Sequence, residues 1–386
     1  MKILGIETSC DDTCIAEVNT QKKNRVFVDV LSDIVSSQIE IHKKWGGVWP
    51  TLARRAHQKN LTPVLIQVLK EAGELETGSE IKKSKLKTLK KILKREPELL
   101  KSFKNSILKI KRPKLDALAV TIGPGLEPCL WTGINFTRAL SFIWNIPLIT
   151  INHIESHIYI NLIKHSKFVF PAICLIVSGG HTQIILMKDY GKYKILGETR
   201  DDAAGECLDK IARILGLEYP GGPIISDLAK RFEKEKPETK IDITLPRPMI
   251  FSRNYDFSFS GLKTAVLYDF KRRNTCTRRK KEYIYQMCFE AQQAVIDVLI
   301  KKTTKAAKDW KAKAIILGGG VAANFQLQKQ LTKKVKKDLP KSEIYIPPSR
   351  YCTDNAVMTA ITAYFHRKEK KSWHRIQAKA NLRLDQ

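Results

Sequence analysis

One pattern limits the fold of this chain more than any other: a buried strand, a turn of small residues and two returning strands, written twice. Residues 2–7 form a short apolar strand that ends in Glu7-Thr8-Ser9-Cys10-Asp11-Asp12-Thr13, and strand-like runs follow at 14–18 and 26–35. From Ala172 the pattern returns, with an apolar run into Val177-Ser178-Gly179-Gly180-His181-Thr182 and further strands at 184–187 and 194–198. Two copies imply an α/β chain with two similar lobes, each offering one turn to a ligand. Small residues at both turns leave room for phosphates, which backbone amides and hydroxyls bind. With 386 residues, the chain is long enough for about two to three domains or lobes.

Charge narrows the partners. Sixty-eight Lys and Arg against thirty-nine Asp and Glu leave a formal net charge of +29, which favours a polyanion, nucleic acid first, through counterion release. A solvated Lys-rich surface explains the same excess equally well. The basic residues cluster at 81–114, where fourteen of them stand against two Glu, and at 271–281, where they fill seven of eleven positions. In the first cluster Leu86, Leu89, Leu93, Leu100, Phe103 and Ile107 recur at helical spacing on either side of Glu96-Pro97, which predicts a basic helical hairpin inserted in a surface loop. The eight cysteines are scattered, with no CxxC pair, and no apolar run approaches the ~20 residues of a membrane span. The expected setting is reducing, cytoplasmic and off the membrane.

The stretch with most chemistry is Ile151-Asn152-His153-Ile154-Glu155-Ser156-His157. On a helix, His153 and His157 project from one face a turn apart and can share a metal ion, provided a third ligand is found elsewhere. The best candidate for it lies far downstream, in Ser349-Arg350-Tyr351-Cys352-Thr353-Asp354-Asn355-Ala356. A bare H-x-x-x-H also occurs in many helices that bind nothing. Glycine-rich turns follow strands at Gly123-Pro124-Gly125 and Gly318-Gly319-Gly320, where backbone can approach an anion and Asn324 is placed to meet a ribose or base. In Asp201-Asp202-Ala203-Ala204-Gly205-Glu206-Cys207-Leu208-Asp209, a helix would put Asp202, Glu206 and Asp209 on one face; a solvated face accounts for that spacing as well.

Taken together, these residues resemble the motifs of the TsaD family, the tRNA threonylcarbamoyladenosine synthases formerly labelled O-sialoglycoprotein endopeptidases. The matching stretches, in order, include Gly5-Ile6-Glu7-Thr8-Ser9, Gly46-Gly47-Val48, His153-x-Glu-x-His157, Ser178-Gly179-Gly180-His181, Tyr219-Pro220-Gly221-Gly222, Phe257-Ser258-Phe259-Ser260-Gly261 and Gly318-Gly319-Gly320-Val321-Ala322-Ala323-Asn324. The resemblance implies a two-lobed actin-like fold of the sugar kinase and Hsp70 type, with duplicated mixed β-sheets flanked by helices. The expected boundaries are 1–150 for the first lobe, 151–354 for a second lobe with metal and nucleotide motifs, and 355–386 for a helix packing back toward the first. It implies transfer of threonylcarbamoyl from threonylcarbamoyl-AMP to N6 of adenosine 37 in tRNAs reading codons that begin with A, with AMP released. His153, His157 and Asp354 would ligate one divalent metal, Fe(II) before Zn or Mn. Ile176, Val177, Ser178, Gly179, Gly180, Asp209, Gly222 and Asn324 would line the adenylate, and Glu7, Asp11 and His181 would handle protons. The family also implies a smaller TsaB-like paralogue and a TsaE-like ATPase as partners.

Two features depart from the family pattern. Thr51 stands where its members carry Glu, and the 81–114 insert has no counterpart. Among other readings, a metalloprotease wants Glu directly after the first His, where this chain has Ile154. A non-catalytic scaffold subunit has no need of the His-His-Asp set, and a kinase of this fold has no need of the paired histidines.

Overall fold

The computed structural model describes residues 1–22, 26–79, 83–235 and 241–385. They form two compact units: Met1–Lys167 with Asp354–Leu384, and Phe168–Thr353. The first contains β1 (Lys2–Glu7), β2 (Thr13–Lys22), β3 (Val26–Ser36), α1 (Ile39–Lys43), α2 (Pro50–Glu71), α3 (Lys83–Ile92), α4 (Pro97–Asn105), β4 (Ala117–Gly123), α5 (Glu127–Trp144), β5 (Leu148–Asn152) and α6 (His153–Tyr159). The second contains β6 (Ala172–Val177), β7 (Thr182–Asp189), β8 (Lys192–Glu198), α7 (Ala204–Ile214), α8 (Gly221–Glu235), α9 (Ser260–Arg272), α10 (Thr275–Arg279), α11 (Lys281–Asp309), β9 (Ala314–Gly318), α12 (Phe325–Asp338) and β10 (Glu343–Tyr345). The last helix, α13 (Ala356–Phe365), returns to the first unit.

The repeat expected from the sequence is a repeat of topology. In the first unit the strand order is β3-β2-β1-β4-β5, antiparallel at β1/β2 and β2/β3 and parallel at β1/β4 and β4/β5. The second unit reads β8-β7-β6-β9-β10 with the same directions. This duplicated mixed sheet is the actin-like arrangement. Its central strands β4, β6 and β9 are buried at every residue, as strands covered on both faces must be, which is why they read as unbroken apolar runs. In the first unit α13 lies so close on β1 that a Cβ on Gly5 would stand 2.3 Å from the Ala356 carbonyl oxygen. Among the described residues no helix is long and apolar enough to cross a membrane.

Two expectations need correction. The boundary falls after Lys167 and not at 150, because β5 is a strand of the first sheet and α6 continues directly from it; His153, His157 and Asp354 therefore all belong to the first unit. The basic insert does form a helical hairpin, α3 and α4, with Ile81 and Lys82 outside the described residues. It is no surface appendage, however. Leu89, Ile92, Leu93, Leu99, Phe103 and Ile107 are buried in the same cluster as the inner faces of α2 and α5. Phe103 meets Phe136 of α5 edge-on, with ring centroids 6.0 Å apart. Truncating so large a side chain without a replacement leaves a cavity, so Phe103→Ala should lower unfolding free energy by about 3–5 kcal/mol in a urea titration, where a solvated loop would show no change.

Candidate functional site

The histidine helix begins where β5 ends. Asn152 caps it, its Oδ1 accepting from the amides of Ile154 at 2.8 Å and Glu155 at 3.2 Å, so the first turn is fixed and both histidines point the same way. Their rings lie 4.7 Å apart at 85°. Asp354, just before α13, brings Oδ1 to 3.7 Å from His153 Nε2 and 3.3 Å from His157 Nε2. One donor atom from each of the three residues falls within 4.8 Å of the others. His157 is 1% exposed, and neither ring nitrogen has a hydrogen-bond partner, the approach to Asp354 included. A buried imidazole left in that state is costly unless something else takes its lone pair. Two imidazoles and one carboxylate with open positions around them fit a divalent metal.

Glu7 supports this cluster from below. Wholly buried at the end of β1, it accepts from the Ser9 amide at 2.6 Å and the Thr121 hydroxyl at 2.6 Å, and lies 3.2 Å from His153 Nδ1. Ser9 Oγ is 3.2 Å from the same nitrogen. Burial pushes the Glu7 carboxyl up, but the charge and hydrogen bond of His153 outweigh it and hold the group below its usual range. With Nδ1 occupied in this way, Nε2 faces Asp354. Glu7 is thus wholly enclosed and orients the His153 ring through Nδ1. Asp11, on the adjoining turn, is partly exposed and raised by burial first and by Asp354 after it; Asp12 beside it is raised to about 7 by burial and by Asp11.

The nucleotide motifs belong to the second unit. Ile176 and Val177 are sealed inside β6, so only their backbone can serve a ligand. The turn that follows is closed by Ser178 N donating to the His181 carbonyl at 2.8 Å and by His181 N donating to Ser178 Oγ at 3.0 Å. A Cβ built on Gly179, Gly180 or Gly222 meets nothing within 4 Å, which leaves bare backbone facing open space. Gly319, with φ of +91°, passes so near Val177 that a side chain there would stand 2.3 Å from its carbonyl oxygen.

Two of the residues expected to line the adenylate also make hydrogen bonds within the unit. Asp209 Oδ1 accepts from the amides of Gly221 at 2.8 Å and Gly222 at 3.2 Å, shaping that loop. The Asn324 side chain caps α12 through Leu327 N at 3.0 Å and donates to Gln292 Oε1 at 2.7 Å and Ser226 Oγ at 3.3 Å. Asp202 precedes α7, so the expected three-carboxylate face does not form; its Oδ1 takes Lys210 Nζ at 2.6 Å. Asp201 is the residue spacing missed. It accepts from Ser258 Oγ, Phe259 N, Ser260 N and Ser260 Oγ, and so ties the Phe257–Gly261 motif to this loop.

A duplicated actin-like sheet, with a cluster of two histidines and a carboxylate in its first unit, describes a two-unit protein of the actin-like fold. Comparison with known proteins makes the class specific. The model of a family described as "TsaD: tRNA N6-adenosine threonylcarbamoyltransferase" matches residues 29–77 and 95–361. The tRNA N6-adenosine threonylcarbamoyltransferase of Thermosipho africanus is 41% identical over 387 residues, covering 100% of both chains. That of Bacillus subtilis is 40% identical over 360 residues, covering 93% of this chain and 89% of its own. Among solved structures, the chain resembles the activator of the 2-hydroxyisocaproyl-CoA dehydratase from Clostridium difficile, with 11% identity, 96% coverage of each chain and a TM-score of 0.44. The chain belongs to the TsaD family, and is a transferase that forms threonylcarbamoyladenosine in tRNA. The stretch that the family model skips carries α3, whereas the match resumes at residue 95 and includes α4, so the expected insert without a counterpart is shorter than 81–114.

The histidine helix is pinned at its outer side as well. Glu155, between the two histidines, lies 2.8 Å from His366 Nε2, and Glu369 lies 2.8 Å from His366 Nδ1. Burial pulls His366 down, but these two carboxylates overcome it and raise it to about 9, against an ordinary 6.5. A base raised on folding stabilises below its unfolded value, and the contribution fades as pH climbs through the folded one. The stability lost on His366→Gln should therefore be greatest at pH 6 and shrink across pH 6.5–9, as read by denaturant titrations at each pH.

Proposed function

We propose that this chain moves the threonylcarbamoyl group from threonylcarbamoyl-AMP to N6 of adenosine 37 in tRNAs reading codons that begin with A, releasing AMP. The observation that carries the reading is the buried His157, without a hydrogen bond beside His153 and Asp354, in a chain of this family. An exocyclic aromatic amine is a poor nucleophile, so the acyl carbon must arrive activated, as the mixed anhydride with AMP. Positioning and charge stabilisation remain for the protein. His153, His157 and Asp354 would hold one divalent ion, Fe(II) favoured and Zn or Mn possible. Once bound, it supplies Lewis acidity toward an oxygen of the acyl donor.

The rest is the work of side chains and backbone. In the first unit Glu7 keeps His153 oriented, while Asp11, whose carboxyl burial holds above its usual range, is the group suited to take the proton of the attacking amine. In the second unit the amides of Gly179 and Gly180 bind the phosphate, on a turn held shut by Ser178, and Asp209 holds Gly222 where the adenylate passes. Asn324 acts by holding its turn and α12 together. His181, on the same turn as Ser178, is a second candidate for proton transfer. A TsaB-like paralogue and a TsaE-like ATPase are the partners this reading calls for, in the cytoplasm. The insert offers the exposed Lys87, Lys90 and Lys94 to RNA phosphates, whereas the 271–281 run is largely engaged within the unit: Arg272 and Arg273 pair with Asp269, and Arg278 donates to the Arg273 and Lys271 carbonyls.

His157→Ala and Asp354→Ala should each lose most bound metal and nearly all transfer from labelled threonylcarbamoyl-AMP to tRNA, with circular dichroism unchanged. Full transfer by a metal-free Asp354→Ala protein would contradict the assignment.

A further inference from the structure

The segment between β3 and α2 presents large apolar side chains to water: Trp45 is 57% exposed, Trp49 50%, Ile41 42% and Ile39 37%. The two indole rings lie 5.1 Å apart, tilted by 51°. This loop is firmly held. Trp49 N donates to His42 Nδ1 at 3.3 Å, and His42 Nε2 lies 3.2 Å from Gln38 Oε1. Gln38 Nε2 in turn lies 3.4 Å from His57 Nδ1, and His57 Nε2 lies 3.0 Å from the Cys10 carbonyl oxygen. Gln38, His42 and His57 are all buried. The neighbour of Cys10 is Ser9, whose hydroxyl meets His153, so one hydrogen-bonded line runs from the paired rings to the histidine centre within the same unit.

Cations flank the rings. Lys43 and Lys44 precede Trp45. Further along α2, a cleft of about 360 Å³ opens, lined by Arg54, Arg95, Glu96, Glu127, Pro128 and Trp131. Arg54 donates to the Arg95 carbonyl, and the Arg95 guanidinium lies 5.5 Å over the Trp131 ring.

We propose that Trp45 and Trp49 form a stacking platform for unpaired bases of the substrate tRNA beside the target adenosine, and that Arg54 and Arg95 supply a contact to the tRNA backbone. The inference rests on the tRNA-modifying function. An enzyme that works on a base must draw it out of the stack, and its neighbours then need another surface. Exposed aromatic rings supply one for any base, and guanidinium groups supply the backbone contact. The flanking positive charge favours RNA over an apolar protein face.

The test is fluorescence anisotropy of the full-length chain with labelled substrate tRNA, at several salt concentrations, with metal content measured alongside. Trp45→Ala and Trp49→Ala should each weaken tRNA binding about 5- to 100-fold, the range of single base–aromatic stacks, with metal content intact. Trp→Phe at either position should restore most of the affinity. Arg54→Gln should flatten the log-affinity against log-salt slope by about 0.7–0.9, as loss of one phosphate contact does. Unchanged tRNA affinity in both Trp→Ala variants overturns the platform, including the case where they lose activity only in the presence of helper proteins, which would make the rings a protein-docking surface. A wild-type chain that binds no tRNA contradicts the function itself.

Discussion

The buried carboxylate of Glu7 is the constraint on which the first unit's site depends. A carboxylate withdrawn from water costs several kcal/mol unless nearly all its lone pairs are met. Here Ser9 N, Thr121 Oγ1 and His153 meet them, from three separate parts of the chain. That requirement locks the turn after β1, the end of β4 and the first turn of α6 into one geometry. His153 is raised to about 9, because the carboxylates of Asp354 and Glu7 outweigh the burial that would lower it.

The sheet explains why these residues meet. Glu7 ends β1, Thr121 is near the end of β4, and α6 starts where β5 stops, so all three lie at the carboxyl ends of parallel neighbours. Ligands of open α/β sheets bind at that edge, since loops there converge while strands hold them apart. The second unit repeats the device: the Ser178 turn ends β6 and the Gly319 turn ends β9, its parallel neighbour. Duplication has produced two similar edges with different contents, imidazole and carboxylate on one, bare backbone on the other.

Much of this was legible in the residues. The repeat gave the two sheets, and the i, i+4 histidines with Asn152 ahead of them read as a capped helix with one working face. Asp354 was reachable only through the family motif, because no local pattern ties it to residues some two hundred positions earlier. The support of His153 by Glu7 was out of reach for the same reason: it is a tertiary contact between strand ends. Asn324 shows how one residue serves two readings. An Asn after a glycine-rich turn suits a ribose as well as it suits a helix cap, and the structure uses both ends of its amide internally. The insert misled because its lysines dominate composition, while the leucines at helical spacing, read as a mere hairpin, are what anchor it in the core.

The proposed metal site requires Glu7 to orient His153. Metal affinity of Glu7→Gln, measured by competition with a chromophoric chelator, tests this most directly, since the substitution keeps the shape and removes the charge. The account predicts affinity about 10- to 100-fold below the unaltered chain, the usual cost of losing the carboxylate behind a ligating histidine, with tRNA binding unchanged. Equal metal affinity in the two proteins would contradict it.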